Sequence, residues 1–175
     1  MKGPKGWDYL NEYKQAADGQ YVYTGNLYVL HDSGNVRKKI GVLWALSVAA
    51  VIGSGLINAG GMNNSFYVII PYIIEVICAF ALSWHVIRLI FTKGDFKEYY
   101  YNKIVNGVPA ASCILSISAA VGFIASVVFD ILHSFDGKML LCILYLISKL
   151  VCISFGVLIY RFYKTVEWEK REKHN

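Results

Sequence analysis

The chain has 175 residues, of which 56% are hydrophobic, and its formal net charge is +5. Four long apolar segments take up most of this length, so the sequence leaves no room for a soluble catalytic domain. The basic residues cluster at the ends of these segments, which indicates membrane orientation and makes nucleic-acid binding a poor explanation of the charge.

Residues 1–39 are predicted to be a cytosolic N-terminal segment. Trp7, Leu10 and Tyr13 recur at helical spacing and predict a short interfacial helix that ends near Gly19. Charged residues are scattered through the segment, so it lacks the apolar run of a cleavable signal peptide.

Residues 21–30 contain two runs of β-prone side chains around a turn at Gly25. This pattern predicts a small β-hairpin, which would need a partner surface because a two-stranded hairpin is marginally stable alone. A tyrosine-rich collar at the level of the lipid headgroups fits the same residues equally well, so both interpretations stay open.

Four apolar segments are each long enough to cross a bilayer, which takes roughly 20 residues in a helix. They lie near residues 40–61, 66–90, 108–129 and 139–162. The sequence therefore predicts an all-α membrane protein with four transmembrane helices in a compact bundle. Residues 40–163 form the predicted membrane domain, and residues 164–175 form a charged cytosolic tail.

Lysine and arginine residues mark one side of this membrane domain. Such residues stay on the cytoplasmic side of membrane helices, so both termini and the loop between the second and third spans are expected in the cytoplasm. The expected location is the cell (plasma) membrane. The residues that indicate this orientation are Arg37, Lys38, Lys39, Arg88, Lys93, Lys97, Lys103, Arg161, Lys164, Lys170, Arg171 and Lys173, against Lys138 on the other side.

Two predicted spans carry small residues at every fourth position. Small residues let helix backbones approach closely in a bilayer, so these rows are predicted to be helix-packing surfaces, either inside the bundle or between copies of the chain. The first row is Gly41, Ala45, Ala49 and Gly53, and the second row is Ser118, Gly122 and Ser126.

The two rows are 73 positions apart, and the same offset relates several other residues. This offset predicts a tandem duplication of a two-helix unit, which would make the fold two parallel helical hairpins. The matched pairs include Tyr28 and Tyr101, Gly34 and Gly107, Tyr72 and Tyr145, and Arg88 and Arg161.

Glu75 and Lys149 are single charges inside otherwise apolar helices. Counted along helices that rise about 1.5 Å per residue, both lie near the middle of a hydrocarbon layer of about 30 Å. A charge at that depth costs about 2.5–3.5 kcal/mol, so the two are predicted either to pair, beside Tyr72 and Tyr145, or to form the ion site of a transporter. A permanent lysine partner would remove the attraction for an external cation, which favours the structural pair.

Two arginines end the second and fourth spans on the predicted cytoplasmic side. Arg88, with Trp84 one turn before it, and Arg161 are predicted to lie at the lipid interface, where aromatic side chains and extended cations gather. Residues 93–103 mix charges with aromatic side chains and are predicted to form an interfacial helix that offers a docking surface.

The sequence indicates no catalytic arrangement, no metal site and no cofactor. It has no glycine motif for phosphates, no His-Glu-x-x-His and no nucleophile beside a base. His85 and His133 lie near opposite ends of the predicted helices, so they cannot share one ion. An enzyme therefore ranks last among the function classes.

The sequence favours a non-catalytic membrane accessory or assembly protein. Its aromatic and basic cytosolic residues would bind anionic lipid, or a membrane or cytosolic partner protein, and its rows of small residues are compatible with a homo-oligomer. The alternative is a small transporter or channel subunit centred on Glu75 and Lys149.

Overall fold

Four long helices make up most of the computed structural model of this chain. The structure describes residues 12–15, 19–57, 61–92, 94–133 and 139–171. Helix α1 is Ser33–Leu56, α2 is Phe66–Phe91, α3 is Glu98–Leu132 and α4 is Met139–Lys164. All four are long and apolar enough to cross a membrane, and they pack together, so the predicted four-helix fold is confirmed at this level.

Helix α3 is longer than its apolar segment. It begins at Glu98, whereas hydrophobicity places the start of the third span near residue 108. The extra turns bury Ile104 in the core, so tertiary packing extends the helix through a polar stretch that hydropathy alone excludes. The separate interfacial helix predicted at 93–103 is wrong, because a strand at Phe96–Lys97 leads directly into α3.

Helix α3 is also the most extensively packed helix, with α2 on one side and α4 on the other. Helix α1 closes the bundle by packing on α4 and, less extensively, on α2. Leu82, Leu115 and Ile159 are among the fully buried side chains of the shared core. Large apolar side chains such as Phe80 and Ile124 point outward, as expected for helices that lie in lipid.

The described residues include five short strands. Strand β1, Tyr13–Gln15, pairs antiparallel with β2, Tyr21–Tyr23. Strand β3, Leu27–Leu30, lies between β4, Phe96–Lys97, and β5, Trp168–Arg171, and is antiparallel to both. Because β3 leads into α1, β4 leads into α3 and β5 follows α4, this sheet joins three chain segments at one end of the bundle, which we call the sheet end.

The hairpin predicted at residues 21–30 does not form, although both of its runs are strands. Strand β2 pairs with β1, and β3 pairs with β4 and β5. Between them the Tyr23 hydroxyl donates to the Asn26 carbonyl oxygen at 2.9 Å, and the Tyr23 ring leaves no room for a Cβ atom at Gly25. Glycine is therefore required at position 25 because the Tyr23 ring packs against the backbone there, and not because the chain forms a hairpin turn.

The interfacial helix predicted near the N-terminus is wrong where the structure describes it. Tyr13 lies in β1, with Tyr23 opposite it in the two-stranded sheet. Trp7 and Leu10, the other residues of that prediction, lie outside the described residues. Cross-strand pairing with the next strand, β2, overrides the helical spacing here.

Aromatic side chains fasten the three-stranded sheet to α3. Tyr28 of β3 stacks on Tyr101 of α3 with ring centroids 3.7 Å apart and planes 2° apart. Trp168 of β5 meets Tyr101 edge-on at 5.2 Å and meets Phe96 of β4 edge-on at 5.3 Å. These contacts hold the start of α3 in a fixed position against the sheet.

Candidate functional site

Glu75 of α2 and Lys149 of α4 form an ion pair inside the bundle. Lys149 Nζ donates to both Glu75 carboxylate oxygens at 2.8 Å, and both side chains are 0% exposed. A hydrogen-bonded pair is the arrangement in which two charges are tolerated away from water. In this structure the two charges satisfy each other.

Helical periodicity brings the two charges to the centre. On α2, Glu75 shares the buried stripe with Pro71, Cys78 and Leu82, which lie four, three and seven residues from it. Lys149 shares the corresponding stripe of α4, where the buried residues are Tyr145, Cys152 and Gly156. A charge on such a stripe faces the neighbouring helices and not the outer surface of the bundle.

Two tyrosines flank the ammonium group of the pair. Lys149 Nζ lies 5.0 Å from the ring centroid of Tyr72 and 4.9 Å from that of Tyr145. Both distances fall within the range of a cation–π interaction, which gains strength when it is desolvated. The pair is therefore held between two aromatic faces as well as by its own hydrogen bonds.

Gly122 of α3 provides the space that the pair occupies. A Cβ atom at this position would lie 3.0 Å from Glu75 Oε1 and 3.7 Å from Lys149 Cε. Ser118 and Ser126, the other members of the second row, are buried too, but their hydroxyls donate to carbonyl oxygens of α3 itself. The second row thus faces the bundle interior, with its glycine directly against the pair.

The first row is not an internal packing surface in this structure. Ala45 and Ala49 are exposed, and nothing lies within 4 Å of a Cβ atom built at Gly53. Gly41 does approach α2, where a Cβ atom would lie 3.3 Å from Ile90 Cδ1. Spacing at every fourth residue defines a stripe on a helix, but it does not say which way the stripe faces.

A close approach between α3 and α4, absent from the sequence predictions, lies at Gly156. A Cβ atom there would collide with Ser116 Oγ and would lie 3.1 Å from the Ser112 carbonyl oxygen. Ser116 Oγ also lies 3.4 Å from the Ile153 carbonyl oxygen of α4 and links the two helices. Gly156 ends a row of small residues at every fourth position, Ser148, Cys152 and Gly156, so a signal for this contact was present in the sequence but was not among the predictions.

Tyr23 joins the N-terminal segment to the start of α3. Its hydroxyl oxygen accepts the backbone N–H of Glu98 at 2.9 Å, which satisfies one of the unpaired donors of the first helical turn. Burial raises the pKa of the Tyr23 phenol to about 12; the Glu98 hydrogen bond lowers it, and the Glu12 carboxylate adds to the rise. Tyr23 thus stays protonated at any physiological pH.

The predicted interface residues lie near the sheet end of their helices. Arg88 Cζ is 4.4 Å from the ring centroid of Trp84 and 5.5 Å from that of Tyr100, so its guanidinium lies between two aromatic faces. Arg161 is exposed on α4. The structure does not bring the two arginines into one site.

Neither histidine of the helices forms part of a metal site. His85 packs against Gly107 in the sheet-end half of α2, whereas His133 caps α3 at the other end and contacts the Phe129 carbonyl oxygen at 3.0 Å. Among the residues described, no group of three or more His, Cys, Asp or Glu side chains could hold a metal ion.

Similarity to known proteins does not assign this site. Comparison with protein-family models, with curated proteins and with solved structures finds no match. The buried ion pair and the basic sheet end are therefore the two features from which a function is inferred.

Proposed function

We propose that this chain is a non-catalytic accessory or assembly protein of the plasma membrane. Its bundle spans the bilayer as a rigid scaffold, and its sheet end lies in the cytoplasm and binds anionic lipid or a partner protein. The main observation behind this proposal is that Glu75 and Lys149 are hydrogen-bonded to each other, so each charge already has its partner inside the bundle.

A transport site would need a charge that an incoming ion can reach. Both oxygens of Glu75 accept hydrogen bonds from Lys149, and neither side chain has any exposed surface. Opening the pair would strand two charges in a medium that cannot solvate them. This geometry supports a fixed element of the fold over a group that changes partners.

The distribution of basic residues supports a cytoplasmic sheet end. Positive residues of membrane proteins are retained on the cytoplasmic side. At the sheet end these residues lie in the first turns of α1 and α3, in the last turns of α2 and α4, and in strands β4 and β5. Those in the described part of the chain are Arg37, Lys38, Lys39, Arg88, Lys97, Lys103, Arg161, Lys164, Lys170 and Arg171.

The three-stranded sheet supports a binding role for that end. A chain segment that precedes α1, one that precedes α3 and one that follows α4 are hydrogen-bonded into one unit. A binding surface built on such a unit is preorganised, which reduces the entropy lost when a ligand or partner binds.

The rival function is a small transporter or channel subunit. It is favoured by a cavity of about 390 Å³ between α1 and α2, lined by Val51, Gly55, Tyr72 and Val76 among others. Because the Tyr72 ring also contacts Lys149, a movement of this tyrosine would connect the cavity to the ion pair. This connection between the cavity and the ion pair is the structural reason to test the transporter hypothesis.

Flux measurements distinguish the two functions. The full chain is reconstituted in sealed liposomes, and proton and cation flux is followed after a concentration gradient is imposed. We expect the parent protein to match protein-free liposomes, as should the Glu75→Gln/Lys149→Met variant. Flux that is present in the parent and lost in Glu75→Gln would overturn the accessory function.

A cross-linking experiment tests the binding role directly. A photoreactive residue is placed in native membranes at Tyr21, which is exposed at the sheet end, and at Leu56, which is exposed at the other end. We expect protein or anionic-lipid adducts from position 21 and only bulk-lipid adducts from position 56. Identical adducts from both positions would contradict a binding surface at the sheet end.

A further inference from the structure

A cavity of about 350 Å³ lies at the sheet end, between β1, the last turns of α2 and the start of α3. Arg88, Lys97 and Lys103 line it together with one carboxylate, that of Glu12. Three cations and one carboxylate give this lining a formal charge of +2. We call it the basic cavity, and its volume is within the range of small-molecule binding sites.

The three cations of the basic cavity are held by aromatic groups. Arg88 lies over the ring of Tyr100, and Lys103 Nζ lies 4.4 Å from the ring centroid of Tyr99. Lys97 Nζ donates to the Tyr13 hydroxyl at 2.9 Å. Within the described ranges, none of the three forms an ion pair with a carboxylate. Their positions are therefore fixed while their charge is not neutralised.

The start of α3 adds to the positive potential of the same cavity. Tyr99 and Tyr100, in the first turn of this 35-residue helix, are part of the lining. The N-terminus of a helix carries a partial positive charge and attracts anions, phosphate groups above all. Glu98 in the same turn carries an opposing carboxylate, so the three cations supply the main attraction for an anionic ligand.

We infer that the basic cavity binds the phosphate group of an anionic ligand, such as a lipid headgroup at the cytoplasmic surface. Arginine and lysine are the side chains that bind phosphate best, and Arg88 can make two parallel hydrogen bonds to it. The inference rests on the proposed function for the cytoplasmic, headgroup-level placement of the sheet end.

The position of Arg88 favours lipid over soluble phosphate as the source. Trp84, on which Arg88 rests, is exposed on the outer surface of α2. Tryptophan at the end of a membrane helix marks the headgroup level. A phosphodiester bound at Arg88 could therefore keep its acyl chains beside the apolar surface of α2.

Lipid retention measures this binding. The full chain is placed in nanodiscs of equimolar phosphatidylcholine and phosphatidylglycerol, released, and analysed by native mass spectrometry for the lipids that it keeps. We expect retention of phosphatidylglycerol with the parent protein. The Lys97→Gln/Lys103→Gln variant should bind it about twenty-five-fold more weakly, because each well-placed basic residue contributes about a fivefold factor.

Two matched variants separate a site from general surface charge. Lys38→Gln/Arg161→Gln removes the same two charges outside the basic cavity, so it should weaken phosphatidylglycerol retention much less than Lys97→Gln/Lys103→Gln does. Glu12→Gln removes the one carboxylate of the lining and should strengthen binding. Equal weakening by both double variants, or no effect of Glu12→Gln, would overturn the inference. Thermal melting of each variant ensures that only folded proteins are compared.

Inorganic phosphate identifies the source of the ligand. If it displaces phosphatidylglycerol from the parent and binds the Lys97→Gln/Lys103→Gln variant weakly, the cavity takes soluble phosphate as well as lipid. If it fails to compete, the cavity is a lipid site. If no cavity variant alters phosphatidylglycerol retention, the inference is refuted but the proposed function stands. If flux depends on Glu75, the proposed function is refuted but the result for the cavity is unchanged.

Discussion

Gly122 of α3 lies directly against the Glu75 carboxylate of α2, so close that a Cβ atom would be 3.0 Å from Glu75 Oε1. Lys149 of α4 reaches the same point from the other side. Three helices therefore meet at one ion pair, and the absence of a side chain at Gly122 makes that meeting feasible.

Replacing Gly122 with leucine should destabilise the bundle. The added side chain would displace the carboxylate from Lys149 or push α3 away, and overpacking of this kind costs about 1–3 kcal/mol or more. Ala49→Leu is the control, because Ala49 is exposed on α1. Thermal unfolding in detergent should show a lower melting temperature for Gly122→Leu alone; equal losses in the two variants would contradict this packing.

Gly156→Ala should also destabilise the protein, at the crossing of α3 and α4. Its methyl group would collide with Ser116 Oγ and crowd a backbone carbonyl, at a cost of about 1–3 kcal/mol. Gly53→Ala is the matched control, since it enters open space and gains helix propensity of about 1 kcal/mol. If the two alanine variants unfold at the same temperature, the crossing is looser than described.

Tyr23→Phe should loosen the sheet end from α3 and change the alkaline unfolding of the protein. It removes hydrogen bonds to Asn26 and Glu98, worth about 1–2 kcal/mol together. The pKa of Tyr23 is raised from 10.0 to about 12, so the folded state favours the neutral phenol. This stabilisation is complete below pH 10 and is lost as the pH rises through 12.

The variant should therefore lose less stability than the parent between pH 10 and 12. Melting curves across that interval measure the difference, with Tyr21→Phe as the control because Tyr21 is exposed. A parent and a Tyr23→Phe variant with parallel alkaline profiles would show that the phenol ionises as freely in the folded state as in the unfolded one.

The proposed orientation of the bundle predicts which positions an external reagent reaches. In a background without the four native cysteines, a membrane-impermeant thiol reagent applied to sealed cells should label Asn64→Cys and leave Asp95→Cys unlabelled. Asp95 lies at the sheet end and Asn64 at the other end, and both are exposed. Labelling at position 95 but not at position 64 would reverse the proposed topology.

The contact between Glu75 and Lys149 could be anticipated from the sequence. Two opposite charges predicted at equal depth in a bilayer have few possible partners other than each other. The four helices followed from length and apolar composition for a similar reason. Both inferences depend on the hydrocarbon layer expected around the helices, in which unpaired charges and unpaired backbone groups are costly.

The strand pairing and the helix contacts could not be predicted in the same way. Leu27 lies in a β-prone run, yet its partners, Lys97 and Arg171, are far from it in the chain. Ala49 and Gly122 carry the same small-residue signal, yet one is exposed and the other is buried. In each case the deciding factor is the position of a distant element, which local spacing does not encode.

A double-mutant cycle on the Glu75–Lys149 pair tests the central claim most directly. The free energies of unfolding of the parent, Glu75→Gln, Lys149→Met and the double variant are compared in one membrane mimetic. If the pair is a structural bridge, each single variant leaves an unpaired buried charge and loses about 3–5 kcal/mol, while the double variant stays close to the parent. A Glu75→Gln variant as stable as the parent would contradict that claim.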